Sequence, residues 1–210
     1  MPTIPPKDSM AIHDASGTVL SPKRMCHIVL RVQPDKYKPM VDWYVAFLGG
    51  RVVWGNEVLS FITYDEEHHR IAITGRPGTI PRSGDATNAC GLAHVSFAYE
   101  TLGELLTAYV QRRKLGIKPS WCVNHGPTTS IYYADPDGNE VETQVDNFGT
   151  AQEATDFMNS TSFVENPMGV DFVPENLIRR LESGESDIEL KKRPNIGPRT
   201  SRADGYISVT

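Results

Sequence analysis

The chain has 210 residues, 39% of them hydrophobic, enough for one domain of ordinary size or two small modules. A formal net charge of −5 leaves no basic surplus for nucleic acid or an anionic membrane. No apolar run approaches the length of a membrane span, and Met1 to Asp8 shows no hydrophobic core of a signal peptide.

Residues 1–22 are rich in Pro, Ser and Lys without a period, which predicts a flexible arm. Residues 24–32 read as a β-branched strand. Pro34-Asp35 opens a helix to about Leu48, with Met40, Trp43, Tyr44 and Phe47 at helical spacing, and Gly49-Gly50 stops it. Short strands are predicted at about 51–55, 58–64 and 69–75, followed by a connecting loop over 76–90. The order then recurs. A strand is predicted at about 92–98, and a helix at 101–114 with Leu102, Leu105, Leu106, Tyr109 and Val110 on one face. Strands follow near 118–123, 129–134 and 139–145. The βαβββ order thus occurs twice, and 67 positions separate His27 from His94, each in the first strand of its unit. One such unit is too small to bury a core alone, so the two are expected to pack into a single α+β domain. The predicted organisation is an arm at 1–22, paired modules over 23–148 (about 23–75 and 91–148) and a tail at 149–210. In the tail, residues 151–158 and 174–181 read as helices, the second with proline at its first position. Phe157, Met158, Phe163, Phe172, Leu177 and Ile178 are the expected docking residues, and the polar last twenty residues are expected to be mobile or draped on a partner. Cys26, Cys90 and Cys122 are odd in number and not spaced as pairs, which predicts reduced thiols and a cytoplasmic location.

Strand side chains alternate between faces. His27 shares its face with Met25 and Val29, and His94 shares its face with Leu92 and Ser96. Taken alone, either one reads as a core histidine. As a pair they occupy matching positions, and equivalent positions of a pseudo-twofold arrangement converge near its axis. The run Tyr132-Tyr133-Ala134-Asp135-Pro136-Asp137-Gly138-Asn139-Glu140-Val141-Glu142 reads as strand, tight turn, strand, and brings in a carboxylate four residues past Gly138. Glu140 and Gln144 share the face of Glu142 and compete with it. The corresponding stretch of the first unit, Ile71-Ala72-Ile73, offers no further carboxylate. Two histidines and one carboxylate on apolar strands form the ligand set of a mononuclear non-heme Fe(II) site with positions open for substrate and O2. His27, His94 and Glu142 are the candidate metal ligands, with Glu140 and Gln144 still open as rivals to Glu142. His125, in Asn124-His125-Gly126-Pro127, precedes the strand that carries Tyr132. At an ordinary pKa of ~6.5 it would act as acid or base at the cavity mouth, the bland alternative being an exposed and idle loop histidine. Tyr132 and Tyr133 point to opposite faces, so one of them sees the cavity. His68 and His69 follow Asp65-Glu66-Glu67 and read as a charged hairpin rim, and His13 in the arm is given no role.

The paired units, with His27, His94 and the Asp135-Pro136-Asp137-Gly138-Asn139 turn leading to Glu142, resemble the vicinal oxygen chelate superfamily, which includes glyoxalase I and bleomycin-resistance proteins. Within it, His125-Gly126, Ser130-Ile131-Tyr132 and Glu142 most resemble extradiol dioxygenases of the catechol and biphenyl-diol type. The likeness covers roughly residues 24–147, and the turn is more specific for the superfamily than for the reaction. The three-ligand set points to the dioxygenases, because four-ligand isomerases carry a carboxylate in the first repeat. The resemblance implies a curved mixed-sheet cavity holding Fe(II), less often Mn(II), through His27, His94 and Glu142. It implies proton donation or oxygen stabilisation by His125 and a hydrogen bond from Tyr132 to a substrate oxygen. The partners would be a small aromatic vicinal diol and O2, and a homodimer is expected. Larger members often carry another active-site histidine shortly before the second metal histidine, and residues 76–93 hold none. The alternatives are a metal-dependent isomerase or lyase on the same scaffold, or a small-molecule binding protein of the resistance type. The ligand set argues against the last.

Overall fold

The computed structural model describes residue 17, residues 19–81 and residues 90–202. Most of the predicted arm, with His13, lies outside these, as do residues 82–89 of the connecting loop.

The first unit runs β1 (Ile28–Arg31), a 3-10 turn (Pro34–Lys36), α1 (Tyr37–Leu48), β2 (Arg51–Gly55), β3 (Leu59–Thr63) and β4 (Ile71–Thr74). The second runs β5 (His94–Tyr99), α2 (Leu102–Lys114), β6 (Trp121–Asn124), β7 (Thr128–Ala134) and β8 (Glu140–Asp146). The tail adds α3 (Ala151–Met158), α4 (Thr161–Glu165), β9 (Val170–Asp171), α5 (Pro174–Glu182) and α6 (Asp187–Lys191). The strands form two mixed sheets, ordered β1-β4-β3-β2 and β5-β8-β7-β6-β9. In each, the first strand of the unit lies parallel to its last, across the helical crossover, and the other neighbours are antiparallel. The architecture is α+β, as the doubled pattern predicted.

Local chemistry sets the element ends. α1 stops at Gly49, whose φ of 61° a residue with a side chain rarely adopts. α2 starts with a capping box in which Thr101 and Glu104 satisfy each other's backbone donors. β6 begins at Trp121 and not near 118, because Pro119 has no N–H for a ladder, and the Ser120 N–H makes the first bond toward β7, 2.8 Å to Tyr132 O. β1 begins at Ile28, so His27 immediately precedes the strand that was expected to carry it. The reason is Arg70, whose guanidinium takes the carbonyls of Met25 (3.2 Å) and Cys26 (3.1 Å), leaving those residues outside the ladder.

One apolar core joins both units and the tail. It includes Tyr44 and Phe47 of α1, Leu105 and Tyr109 of α2, and Tyr133 and Val141 of the second sheet, with Leu177 and Leu190 from beyond it. Arg112 stitches the units together. Its guanidinium lies 4.0 Å from the centre of the Phe47 ring and donates to the Phe47 carbonyl and the Tyr99 hydroxyl.

The tail departs from expectation at two places. Met158 is 42% exposed and does not dock. The polar stretch after residue 190 is, up to Arg202, held on the chain's own body by arginines. Arg193 bonds to three backbone carbonyls, and Arg199 forms a buried ion pair of 2.7 Å with Asp171. Guanidinium bonds to carbonyls and carboxylates leave no apolar period in the sequence, so composition alone read this stretch as loose. No helix among the described residues is long and apolar enough to cross a membrane.

Candidate functional site

The site grows from the register of the second sheet. His94 opens β5 opposite Glu140, Ser96 lies opposite Glu142, and Glu142 lies opposite Tyr132 on its other side. His94 is therefore the diagonal neighbour of Glu142, within side-chain reach. Its Nε2 sits 3.1 Å from Glu142 Oε2. Glu142 is buried, whereas the His94 side chain remains 37% exposed. The rival candidates are otherwise engaged: Glu140 pairs with Arg202 at 2.6 Å, and the Gln144 amide accepts a 2.8 Å bond from Ser96.

The β7–β8 turn clamps this register. Asp135 Oδ1 accepts from the N–H groups of Asp137 (3.0 Å) and Asn139 (2.8 Å), and Oδ2 accepts from the Asn139 amide (2.8 Å). Gly138 supplies the φ of 78° that closes the turn.

His125 lies in the β6–β7 turn and is half-buried, not an exposed loop histidine. Its Nδ1 is 2.7 Å from the Met168 carbonyl and its Nε2 is 3.0 Å from the Tyr132 hydroxyl. A carbonyl only accepts, so in the neutral ring Nδ1 carries the hydrogen and Nε2 takes the Tyr132 proton. Burial holds the His125 imidazole below its ordinary value, against Glu142 and the Met168 carbonyl, which favour its protonation. Burial likewise pushes the Tyr132 phenol up, and the Glu142 carboxylate adds to this. Both groups are thus neutral near pH 7. Tyr133, on the opposite face, packs edge-on against Phe47 in the core.

An aromatic wall surrounds these groups. The Tyr132 ring stacks on Trp121 at 5.0 Å and meets His94 edge-on at 5.4 Å. Trp121 Nε1 donates to Asp171 of β9, and the Arg202 guanidinium lies 4.5 Å from the centre of the Trp121 ring. Trp121, Met168, Arg193 and Arg202 were not anticipated from the sequence.

His27 belongs to the other sheet. It borders a cleft of about 250 Å³ together with Tyr64, Arg70 and, from β5, Val95, Ser96 and Phe97. Its ring lies 4.3 Å from His69, which in turn stacks on Phe61 at 4.6 Å. His69 is therefore a neighbour of His27 and not a rim residue. Among the described residues no group of three or more His, Cys, Asp or Glu side chains is gathered closely enough to hold a metal ion. The structure brings His94 and Glu142 together and leaves His27 apart from them. Where β5 and β8 pair Ser96 with Glu142, the matching strands β1 and β4 pair Val29 with Ala72, so that position of the first unit bears no carboxylate. Another cleft, of about 1250 Å³, lies among α1, α2 and α5 and is lined by none of these site residues.

A model of the Glyoxalase/Bleomycin resistance protein/Dioxygenase superfamily matches residues 24–143. The chain is 44% identical over 171 residues to biphenyl-2,3-diol 1,2-dioxygenase 3 of Rhodococcus globerulus, covering 81% of this chain and 88% of the relative. It is 43% identical over 162 residues to biphenyl-2,3-diol 1,2-dioxygenase 2 of the same organism, covering 77% of this chain and 83% of the relative. Among solved structures, a glyoxylase/bleomycin resistance protein/dioxygenase domain from Frankia sp. EAN1pec superposes with a TM-score of 0.51 at 19% identity, over 63% of this chain and 98% of that one, which is a likeness of fold. With the doubled βαβββ architecture and the His94–Glu142 pair, these matches place the chain in the glyoxalase/bleomycin resistance protein/dioxygenase superfamily.

Proposed function

We propose that the protein is an extradiol-type dioxygenase that cleaves the ring of a small aromatic vicinal diol with O2. The observation that carries this reading is the 44% identity to a biphenyl-2,3-diol 1,2-dioxygenase across most of both chains. The local chemistry is consistent with it. An imidazole nitrogen and a buried carboxylate oxygen that already converge suit a first-row divalent cation. His94 and Glu142 would hold the ion, with His27 as the third ligand across the cleft that it shares with Ser96. Iron(II) in that position supplies Lewis acidity toward the diol and the electron chemistry that O2 requires.

The remaining work falls to the chain's own side chains. Trp121 stacks on Tyr132 and so fixes the plane of its ring beside His94. The Tyr132 hydroxyl donates to His125 Nε2, so its oxygen is left to accept a bond from a substrate hydroxyl. His125 Nε2, which accepts from that hydroxyl, is placed to receive the proton of a diol hydroxyl through Tyr132. The Met168 contact keeps the opposite nitrogen occupied, so Nε2 is the ring's one basic position.

The test begins with metal analysis of protein purified without chelator. Anaerobic loading with Fe(II) follows, and then oxygen uptake is measured with a panel of catechols and biphenyl-2,3-diol. Uptake of one O2 per diol, dependent on iron, is expected. Iron-loaded protein that consumes no O2 with any vicinal diol would overturn the proposal.

A further inference from the structure

His125 owes its geometry to a segment far along the chain. The backbone from Asn166 to Gly169 passes directly against the His125 turn. Gly169 has a φ of 99°, and a Cβ there would collide with the Asn124 carbonyl and the His125 backbone. Within this segment the Asn166 side chain ties both backbone groups of Gly169, accepting from its N–H at 2.7 Å and donating to its carbonyl at 3.1 Å. The small loop so closed aims the Met168 carbonyl at His125 Nδ1.

Arg193 fastens the two walls together. Its Nη1 donates to the carbonyl of His125 itself at 3.1 Å and to that of Asn166 at 2.7 Å. Its Nη2 donates to the Ser162 carbonyl at 2.8 Å and to the Ser162 hydroxyl at 3.2 Å. The guanidinium also lies 4.9 Å from the centre of the Phe157 ring, and that ring fills the space where a Cβ on Gly126, next to His125, would stand. One planar cation thus spans the turn that carries the imidazole and the loop that carries its acceptor. A planar fork of donors does this with fixed spacing; an ammonium does not.

We infer that Arg193 is a positioning residue that sets the ring orientation and tautomer of His125, by locking the Met168 carbonyl onto Nδ1 so that Nε2 faces the Tyr132 hydroxyl. The inference rests on the proton role proposed for His125. Arg193 touches neither Tyr132 nor Glu142 through any hydrogen bond or ion pair among those described, so its effect passes through His125. Without the fork, the 162–169 loop loses its tie to the His125 turn. The Nδ1–H then has no fixed acceptor, and the ring is free to turn or to exchange tautomers.

The experiment uses the full chain with Arg193→Met and Arg193→Lys, and with His125→Gln to assign the imidazole signals. In iron-free, 15N-labelled protein, long-range 1H–15N correlations read the His125 tautomer directly. The wild type is expected to show hydrogen on Nδ1, and Arg193→Met a mixture with Nε2–H. In the iron-loaded enzymes, kcat of Arg193→Met is expected to fall by about 10²-fold, the usual consequence of misplacing a reacting group, with KM and iron content close to wild type. Arg193→Lys keeps the charge and the stem over Phe157 and should recover only part of both signals. If Arg193→Met fails to fold, the lysine variant is read the same way. An unchanged Nδ1–H tautomer in the folded variants overturns the inference. A changed tautomer with unchanged kcat leaves the positioning role standing and removes the proton role of His125.

Discussion

Tyr44, on the helix of the first unit, donates a 3.2 Å hydrogen bond to Asp135, in the turn of the second. The residues are 91 positions apart, and the contact links the packing of the units to the register that sets Glu142 opposite Tyr132. Asp135→Ala leaves the N–H groups of Asp137 and Asn139 and the Tyr44 hydroxyl without an acceptor. A loss of about 1–3 kcal/mol is expected for each buried group left unpaired, read as a lower urea midpoint with unchanged slope. Tyr44→Phe removes one bond only and should cost about 1 kcal/mol. An unshifted midpoint in Asp135→Ala would show that the turn does not contribute to the assembly of the units.

Metal retention separates the three proposed ligands. Glu142→Gln and His94→Ala are each expected to lose the bound metal, because each removes half of a donor pair already in contact. His27→Ala should do the same if the ion draws the first unit's histidine across the cleft. Dialysis against a chelator should abolish O2 uptake, and anaerobic Fe(II) should restore it. Wild-type metal content in His27→Ala would remove His27 from the set.

His125→Gln keeps a neutral side chain but loses the basic nitrogen. Metal content and KM should stay near wild type, while kcat falls by about 10²–10⁴, the range of general acid–base assistance. Steady-state oxygen uptake on metal-quantified protein checks this. Turnover equal to wild type would take His125 out of the mechanism.

The approach to His27 depends on a surface ion pair. Asp65 accepts from Arg70 at 2.8 Å, and Arg70 in turn holds the carbonyls of Met25 and Cys26. The Arg70 guanidinium bonded to Asp65 keeps its carboxyl below the ordinary aspartate value. An acid whose folded-state value is lowered stabilises the fold above its unfolded value of ~3.9, and that contribution is lost as pH falls through the folded value. Asp65→Asn should therefore be slightly less stable than wild type at pH 7, with the difference shrinking below pH ~3.9. Denaturant midpoints at both pH values provide the check. A difference that persists undiminished in acid would show that the charge is not the cause.

The periodic elements and the pairing of His94 with Glu142 were legible because strand alternation and the doubled βαβββ order leave a regular trace. Val29 opposite Ala72 and Ser96 opposite Glu142 are that repetition made visible. His69 was misread. The acidic run before it resembles a solvated rim, whereas Asp65 and Arg70 fold the hairpin back until the His69 ring meets His27. Arg193, Arg199 and Arg202 were illegible for a different reason. They dock through guanidinium bonds to carbonyls and carboxylates, which require no apolar spacing and share a composition with unanchored chain. The Met168 contact could not have been found, since a backbone carbonyl has no residue-type signature.

The arginine-held tail also bears on how the protein is made. The first sheet and strands β5 to β8 precede the tail, but β9, the acceptor for His125 and the cover of Trp121 come from residues synthesised afterwards. A chain cut by a protease just past β8 would lose β9, the core residues Leu177 and Leu190 and the carbonyl that orients the His125 imidazole. Completion of the second sheet, of the core and of the His125 site therefore all wait on the tail, and a nicked copy would lose stability together with the set orientation of its imidazole.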